Sequence, residues 1–434
     1  MALLRLVTAT SCQFILGAAL CSVPVSRAQV SNSGDSSLTC QPSGGCSGNI
    51  GISATGTATL SDGSFSSLSD IIRVGRFGTF LLTGATTRLS SFGMSLGDSS
   101  APGAGSVLVN NGGYLSLQRS DIYGTVTVRG SGSDFVLYNY DNNYSLNKGS
   151  VLNILDGATG RVAQINGLIS DGSTVNVSGR GSYLSMHSSI MVDDERLTNS
   201  IINIENGGLL DTRGRNSSNQ PPVNMVANGG SIGINGSNST LQVADLVING
   251  TDVQILNGGL ADLTGNMVQT GGRLLLAGGG TLTANTFSLT GGSGSAPATL
   301  QIGDATTGIN GPGVINTRLT RSIALASTSS SRAGVVFDHT GSDYVFTHAL
   351  TGNGDVAVLS GTTTLANQNS YSGTTSVTGG VLRAGAANAL SRNSRYRLSG
   401  TGTLDLNGLS QDLGQVTNDG TVIVSGSASP TVVN

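Results

Sequence analysis

A turn signal that keeps returning constrains this chain more than any other feature. It reads Asn111-Gly112-Gly113, Asp156-Gly157-Ala158, Asn206-Gly207-Gly208 and Asn257-Gly258-Gly259, at spacings of 45, 50 and 51 residues. Between these turns a second unit recurs in three copies that stay in phase. Val126-x-Val128-x-Gly130-x-Gly132-Ser133-x-Phe135-x-Leu137 is followed by Val175-x-Val177-x-Gly179-x-Gly181-Ser182-x-Leu184-x-Met186, then by Ile232-x-Ile234-x-Gly236-x-x-Ser239-x-Leu241-x-Val243. The two signals alternate at 111, 130, 156, 179, 206, 236 and 257, which is (257 − 111)/6 or about 24 residues per unit. That period lies in the range of stacked repeat architectures.

Each unit carries short apolar runs of period 2, such as Val126/Val128 and Phe135/Leu137, so alternate side chains fall on one face of an extended segment. Gly, Asn and Ser separate the runs, and these residues tolerate the positive φ of tight corners. One unit of this size cannot bury its apolar face alone, so units must stack and pair backbone to backbone. The expectation is an all-β solenoid of parallel strands. Some 15 rungs at about 4.8 Å would make a rod of roughly 70 Å.

Composition excludes several other classes. Gly contributes 65 of 434 residues and charged residues only 10%, with few strong helix formers beyond the first 25 positions, which argues against a helical bundle or an α/β enzyme. Net charge is −3, and Lys148 is the single lysine against twenty arginines, so there is no basic patch for nucleic acid. The arginine excess reads as the bias of a GC-rich genome rather than as a site.

The N-terminus reads as an address. Arg5 is the only charge before an apolar stretch from Phe14 to Val25, and Ser26-Arg27-Ala28 places small residues where a signal peptidase reads, so cleavage after Ala28 is expected. The stretch is short for a membrane span and is broken by Cys21, Ser22 and Pro24, and Leu20 is too bulky to precede a lipidated cysteine at Cys21. Cys12 and Cys21 leave with this segment, while Cys40 and Cys46 remain and enclose Gln-Pro-Ser-Gly-Gly. In an oxidising compartment so short a Gly/Pro loop closes readily, and a Cys40–Cys46 disulfide is expected. A redox pair needs a tighter spacing, and a zinc site needs further ligands that are absent nearby.

Toward the C-terminus, Leu359 to Leu390 reads L-S-G-T-T-T-L-A-N-Q-N-S-Y-S-G-T-T-S-V-T-G-G-V-L-R-A-G-A-A-N-A-L. This closely resembles the autotransporter-associated β-strand repeat of Gram-negative autotransporter passengers. Tyr396 to Gly426, with L-D-L-N-G-L-S-Q-D-L-G-Q-V and G-T-V-I-V-S-G, is also similar to that family, as is the segment from Val335 to Gly354. The specific match spans roughly 330 to 426, with the looser solenoid pattern upstream. The resemblance implies a right-handed parallel β-helix, exported by a signal peptide and carried outward by an outer-membrane β-barrel translocator. It further implies display on, or release from, the cell surface, often as an adhesin or surface virulence factor. The repeat is structural and carries no catalytic, cofactor-binding or metal-binding residues to transfer. The chain stops at Ser429-Pro430-Thr431-Val432-Val433-Asn434 without the alternating amphipathic strands of a barrel. The expectation is a truncated product or a separately encoded barrel, with a periplasmic location if none is supplied.

Enzymatic readings are weaker. Asp193-Asp194-Glu195 would serve a β-helical polysaccharide lyase or hydrolase, the principal alternative, but neighbouring residues of a strand point to opposite faces and a solvated loop fits better. Aromatic content of 4% with no Trp leaves little to stack on a sugar. Gly97-Asp98-Ser99-Ser100 resembles the nucleophile turn of chymotrypsin-like proteases but lacks the following Gly, and His187, His339 and His348 all lie downstream. His339 reads as a partly buried structural side chain, and the three histidines lack metal-ligand spacing.

Two segments break the repeat. Tyr138-Asn139-Tyr140-Asp141-Asn142-Asn143-Tyr144 sets three tyrosines in a polar stretch, and Arg213-Gly214-Arg215 through Pro221-Pro222 lengthens the unit from 206 to 236 to 30 residues. Solenoids place insertions on one face, where binding occurs, so Tyr138, Tyr140, Tyr144, Arg213 and Arg215 are the candidate contact residues for a host-cell, matrix or self-association partner. The organisation expected is a signal peptide over 1–28, an N-terminal cap over 29–60, a β-helix over 61–330 and the repeat region over 331–434.

Overall fold

Period-2 runs of four to six residues between Gly/Asn corners leave the backbone one economical solution, which is to wind each run directly above its predecessor. The computed structural model describes residues 29–425 and 432–433, apart from 41–45, 52–53, 62, 101–102, 140–145, 165–167, 170–171, 189–194, 214–223, 293–295 and 310; the expected signal peptide lies outside these. Among the described residues there is no helix. The chain is a parallel β-solenoid.

Its first face is a sheet of 17 strands, of which Gln29–Gly34 runs antiparallel to Gly56–Ser61, leaving 17 − 1 = 16 parallel rungs. Stacked at about 4.8 Å these span roughly 70 Å. Register is kept residue for residue. Val126 and Val128 sit over Leu152 and Ile154, and these over Val175/Val177, Ile202/Ile204, Ile232/Ile234 and Val253/Ile255. All of these side chains are buried, and each contributes roughly 1.5–3 kcal/mol by leaving water.

The second face carries 13 strands from Thr39–Cys40 to Val314–Thr317, and a separate group of five continues it from Tyr344–Phe346 to Thr421–Ile423. In the early rungs Ser64–Val74, Arg88–Leu96 and Tyr114–Ile122 are single long strands, with a register shift between Ser67 and Ile71. Beyond them a distinct third face appears, eight strands from Leu168–Ile169 to Ala349–Gly352. The solenoid then has three sides, as in Asp252–Leu256, Leu260–Leu263 and Met267–Thr270.

Both recurring signals occupy one corner, between the first and second faces, in alternate rungs. Asn206 and Gly207 hold φ of 52° and 85°, the left-handed region that Asn and Gly enter at least cost. In the other turn type the second glycine of the first two copies is replaced by Asn238, which takes φ 67°. The alternation has a chemical reason. The Gly157 N–H donates to Ser182 Oγ of the next rung at 2.9 Å, and that hydroxyl donates to Ser178 O at 2.7 Å. The Gly112 and Gly207 N–H groups likewise donate to Ser133 and Ser239 Oγ, each at 3.0 Å. A Ser182→Ala substitution strands a turn N–H beside a buried position, and about 1–2 kcal/mol of local stability should be lost. Hydrogen exchange at residues 150–185 reads this; unchanged protection there would show that the bridge contributes nothing.

Outward side chains also climb the rod. Asn153, Asn176 and Asn203 form an amide ladder, each Nδ2 donating to the rung before, on Thr127 Oγ1, Asn153 Oδ1 and Asn176 Oδ1, at 3.0, 2.7 and 2.8 Å. Arginine–aspartate pairs tie neighbouring rungs in the same way, including Arg129–Asp156 at 3.0 Å, Arg161–Asp134 at 3.4 Å and Arg273–Asp252 at 3.0 Å. The arginines therefore have a structural use that composition alone did not reveal, although exposed pairs of this kind contribute at most about 1 kcal/mol each.

Candidate contact edge

Among four successive rungs, three carry a longer connection from the second to the third side than the rungs that follow. The strands Asp134–Asn139, Thr159–Gln164, Tyr183–Ser188 and Leu209–Asp211 carry the second face. After them the described chain resumes on the third side at Leu146, Leu168, Glu195 and Asn224. Between these strand ends and the points of resumption the sequence runs six, three, six and twelve residues. In the following rungs the same corner needs only Ala244 and Asp245, then Thr264 to Asn266, then Asn285 and Thr286. The flanking strands pair in register above and below, so the longer connections leave from the second side and return to the third without disturbing either ladder.

Tyr138 stands on this edge, half-buried, in line with Ala163 and His187 of the next two rungs. Tyr140, Tyr144 and Arg215 lie outside the described residues. Arg213 is at the same corner three rungs on, and the structure does not bring it to Tyr138. It is held by Asp211 at 3.5 Å and by Asp262 at 3.1 Å, and Asp262 also takes Arg318 at 2.6 Å. Val136, Ser185 and Asp211 occupy outward register positions in these rungs yet are buried, so the second face is covered here.

The residues weighed for catalysis are dispersed. Glu195 opens the strand Glu195–Thr198, opposite Met225, and Asp193 and Asp194 lie outside the described residues. Asp98 Oδ1 accepts the Ser100 N–H at 2.8 Å and the Ser100 hydroxyl, and the Asp98 carboxylate pairs with Arg76 at 3.5 Å. That is a turn-capping arrangement of its own chain. His187 is the penultimate residue of the second-face strand Tyr183–Ser188. Among the described residues, no group of three or more His, Cys, Asp or Glu is placed to hold a metal ion.

His339 is more deeply set than its reading as a partly buried side chain, and His348 is buried beside it. Both are buried within an aromatic cluster at the point where the second-face sheet divides. Phe337 meets Phe346 edge-on at 5.2 Å, Tyr344 lies 5.0 Å from the His339 ring, and Phe346 lies 5.7 Å from His348. His339 Nε2 bonds Thr363 Oγ1 and His348 Nε2 bonds Thr317 Oγ1, each at 2.9 Å. Burial lowers the affinity of both imidazoles for a proton; the Gly341 backbone and Asp338 oppose this at His339, while Arg321 adds to it at His348.

A second buried polar group lies in the C-terminal repeats. Tyr371 OH bonds Thr375 Oγ1, which bonds Ser394 Oγ, both at 2.7 Å, and Tyr396 OH donates to Ser391 O at 2.9 Å. Burial pushes the Tyr371 hydroxyl up to about 12. These tyrosines fill the core where the third side has lost its regular strands. Sequence reading identifies His339 as a structural side chain but misses the aromatic cluster around it and the tyrosine group, because neither follows the period of the repeat.

No family model and no curated protein matches the chain. Among solved structures it is similar to a TibC-catalysed, hyper-glycosylated fragment of TibA comprising residues 55–350 of that protein. The identity is 16% over 85% of this chain and 98% of that one, with a TM-score of 0.22. Values this low do not establish a common fold.

Proposed function

We propose that the chain is the passenger part of an autotransporter, a right-handed β-helix that is exported and acts without catalysis as a surface-displayed or released adhesin. The observation that supports this most is that the strands on either side of one corner keep their pairing while the sequence joining them is longer in three of four successive rungs than in those that follow. A solenoid that keeps its pairing intact and varies one corner presents that corner for contact. The resemblance of residues 330 to 426 to the passenger repeat supports the export route. An outer-membrane β-barrel translocator is then the partner that carries the chain outward, and host-cell or matrix components, or a second copy, are what the edge meets.

The test replaces Tyr138, Tyr140, Tyr144 and Arg215 with Ser and leaves Arg213, whose ion pairs hold the corner. Binding of the purified chain to immobilised matrix proteins and cultured cells should weaken about tenfold or more with an unchanged β spectrum. Undiminished binding by a folded variant would remove the edge from the account. Release of oligosaccharides from polymeric substrates by the unmodified chain would instead favour the polysaccharide-active alternative.

A further inference from the structure

We propose that Cys40 and Cys46 form a disulfide that works as a redox-closed clip on the N-terminal end of the solenoid. Thr39–Cys40 pairs antiparallel with Cys46–Ile50, and the register sets Cys40 directly opposite Cys46 and Thr39 opposite Ser47. Directly opposed residues of an antiparallel pair have Cα atoms about 4.5–5.5 Å apart, inside the roughly 4.4–6.8 Å that a disulfide spans. The ladder continues away from the cysteines, with the Ser37 N–H donating to Asn49 O at 2.8 Å and a bridge between Ser36 and Ile50.

The position of this hairpin gives the clip its consequence. Cys46–Ile50 also pairs in parallel with Ser64–Val74, setting Gly48, Asn49 and Ile50 against Ile72, Arg73 and Val74. The hairpin is therefore the first layer of the second-face sheet, and Leu38 and Ile50 bring it into the core. On the first face Gln29–Gly34 closes the same end. Together they cover an edge that would otherwise offer unpaired backbone to other chains. The outer strand, Thr39–Cys40, is only two residues long, and its other ladder contacts lie at Ser36 and Ser37, so a covalent link would secure the opposite end of the hairpin. For a loop this small the chain-entropy relation makes opening of the cap roughly 50-fold rarer when the link is closed.

The chemistry is thiol–disulfide exchange with a disulfide donor, either an oxidoreductase or oxidised glutathione. One cysteine thiolate attacks the donor, forming a mixed disulfide and releasing one donor thiol. The second cysteine displaces the remaining donor sulfur. The chain gives up two protons and two electrons, and the donor disulfide becomes two thiols. That the clip stays open before export and closes after it rests on the export reading; the clip itself does not.

The experiment uses the full-length chain equilibrated with oxidised glutathione. Trypsin releases both cysteines in one peptide, between Arg27 and Arg73, and separates them from Cys12 and Cys21. That peptide should be lighter by about 2 Da than its reduced form, the loss of two hydrogens, and refractory to alkylation. Hydrogen exchange over residues 46–61 should be slower by on the order of 50-fold in the oxidised protein, and a Cys40→Ser/Cys46→Ser variant should exchange like the reduced one. Two alkylatable cysteines after oxidation, a disulfide-linked dimer, or equal exchange in both redox states would each overturn the clip.

Discussion

Acidification from pH 7 to pH 5 is expected to loosen residues 333–352 before the rest of the solenoid. His339 and His348 are buried with hydroxyl partners and aromatic rings around them, and burial is the first cause of their lowered proton affinity. The sign follows from linkage. In the unfolded chain each imidazole takes up a proton near pH 6.5, whereas in the folded chain it does so only at lower pH. Stability is therefore intact above about pH 6.5. Below it, stability falls by up to about 1.4 kcal/mol per pH unit for each histidine, until the folded values are reached. Two such groups within one rung make this the steepest acid response expected in the molecule. Asp338 moderates it at His339, and Arg321 sharpens it at His348. Hydrogen exchange of 333–352 against 246–290, at pH 7 and pH 5, measures the difference. A His348→Gln variant, neutral at both pH values and able to bond Thr317, should flatten it. An equal response in the two regions would sink the argument.

Loss of the Asp405 carboxylate should unravel the last rungs. The side chain is fully buried and accepts from Arg383 Nε at 2.8 Å, from the Asn407 N–H at 2.8 Å and from the Ser425 hydroxyl at 2.6 and 2.7 Å. Burial opposes its charge, but these donors outweigh burial and hold the carboxyl below the ordinary range. Asp405→Ala leaves a guanidinium and several N–H and O–H donors facing nothing, at a cost of about 3–5 kcal/mol. The pH dependence has the opposite sense to that of the histidines. The contribution is present above about pH 4, the unfolded value, and is lost as pH falls through the depressed folded one. Protection of amides from 381 to 425 should collapse in the variant while residues 246–290 keep theirs. Retained C-terminal protection would mean that the core columns hold these rungs unaided.

Much of this architecture is legible in the chain because the same physics is repeated. Val126/Val128 and their counterparts point inward wherever period 2 places them, and Asn206-Gly207 turns where the left-handed region is needed. The number of sides is not legible. Leu246–Asn249 and Asp252–Leu256 have the same alternation, and nothing in either says which belongs to the third side and which begins the next rung. Nor is the partner of Ser182: its recurrence in the motif is visible, but its bond reaches Gly157 in another rung. The candidate contact residues divide similarly. Unit length locates the insertions, whereas the commitment of Arg213 to Asp211 and Asp262 depends on side chains up to 49 positions apart. The histidines are placed by the shape of a core that aromatic residues widen, and no spacing announces that.

The serine bridges at the corner also set the grain of the molecule. Because the hydroxyl of one turn type satisfies the amide of the other, neighbouring rungs are donor and recipient rather than equivalents. The natural module is therefore a pair of rungs, 45 to 51 residues of chain. Removing or adding one such pair leaves every donor facing a recipient. Removing a single rung of about half that length sets like against like at the new joint, even where the apolar columns still match. A lineage growing by internal duplication, or an engineer lengthening the rod, would keep this corner intact only by working in even steps.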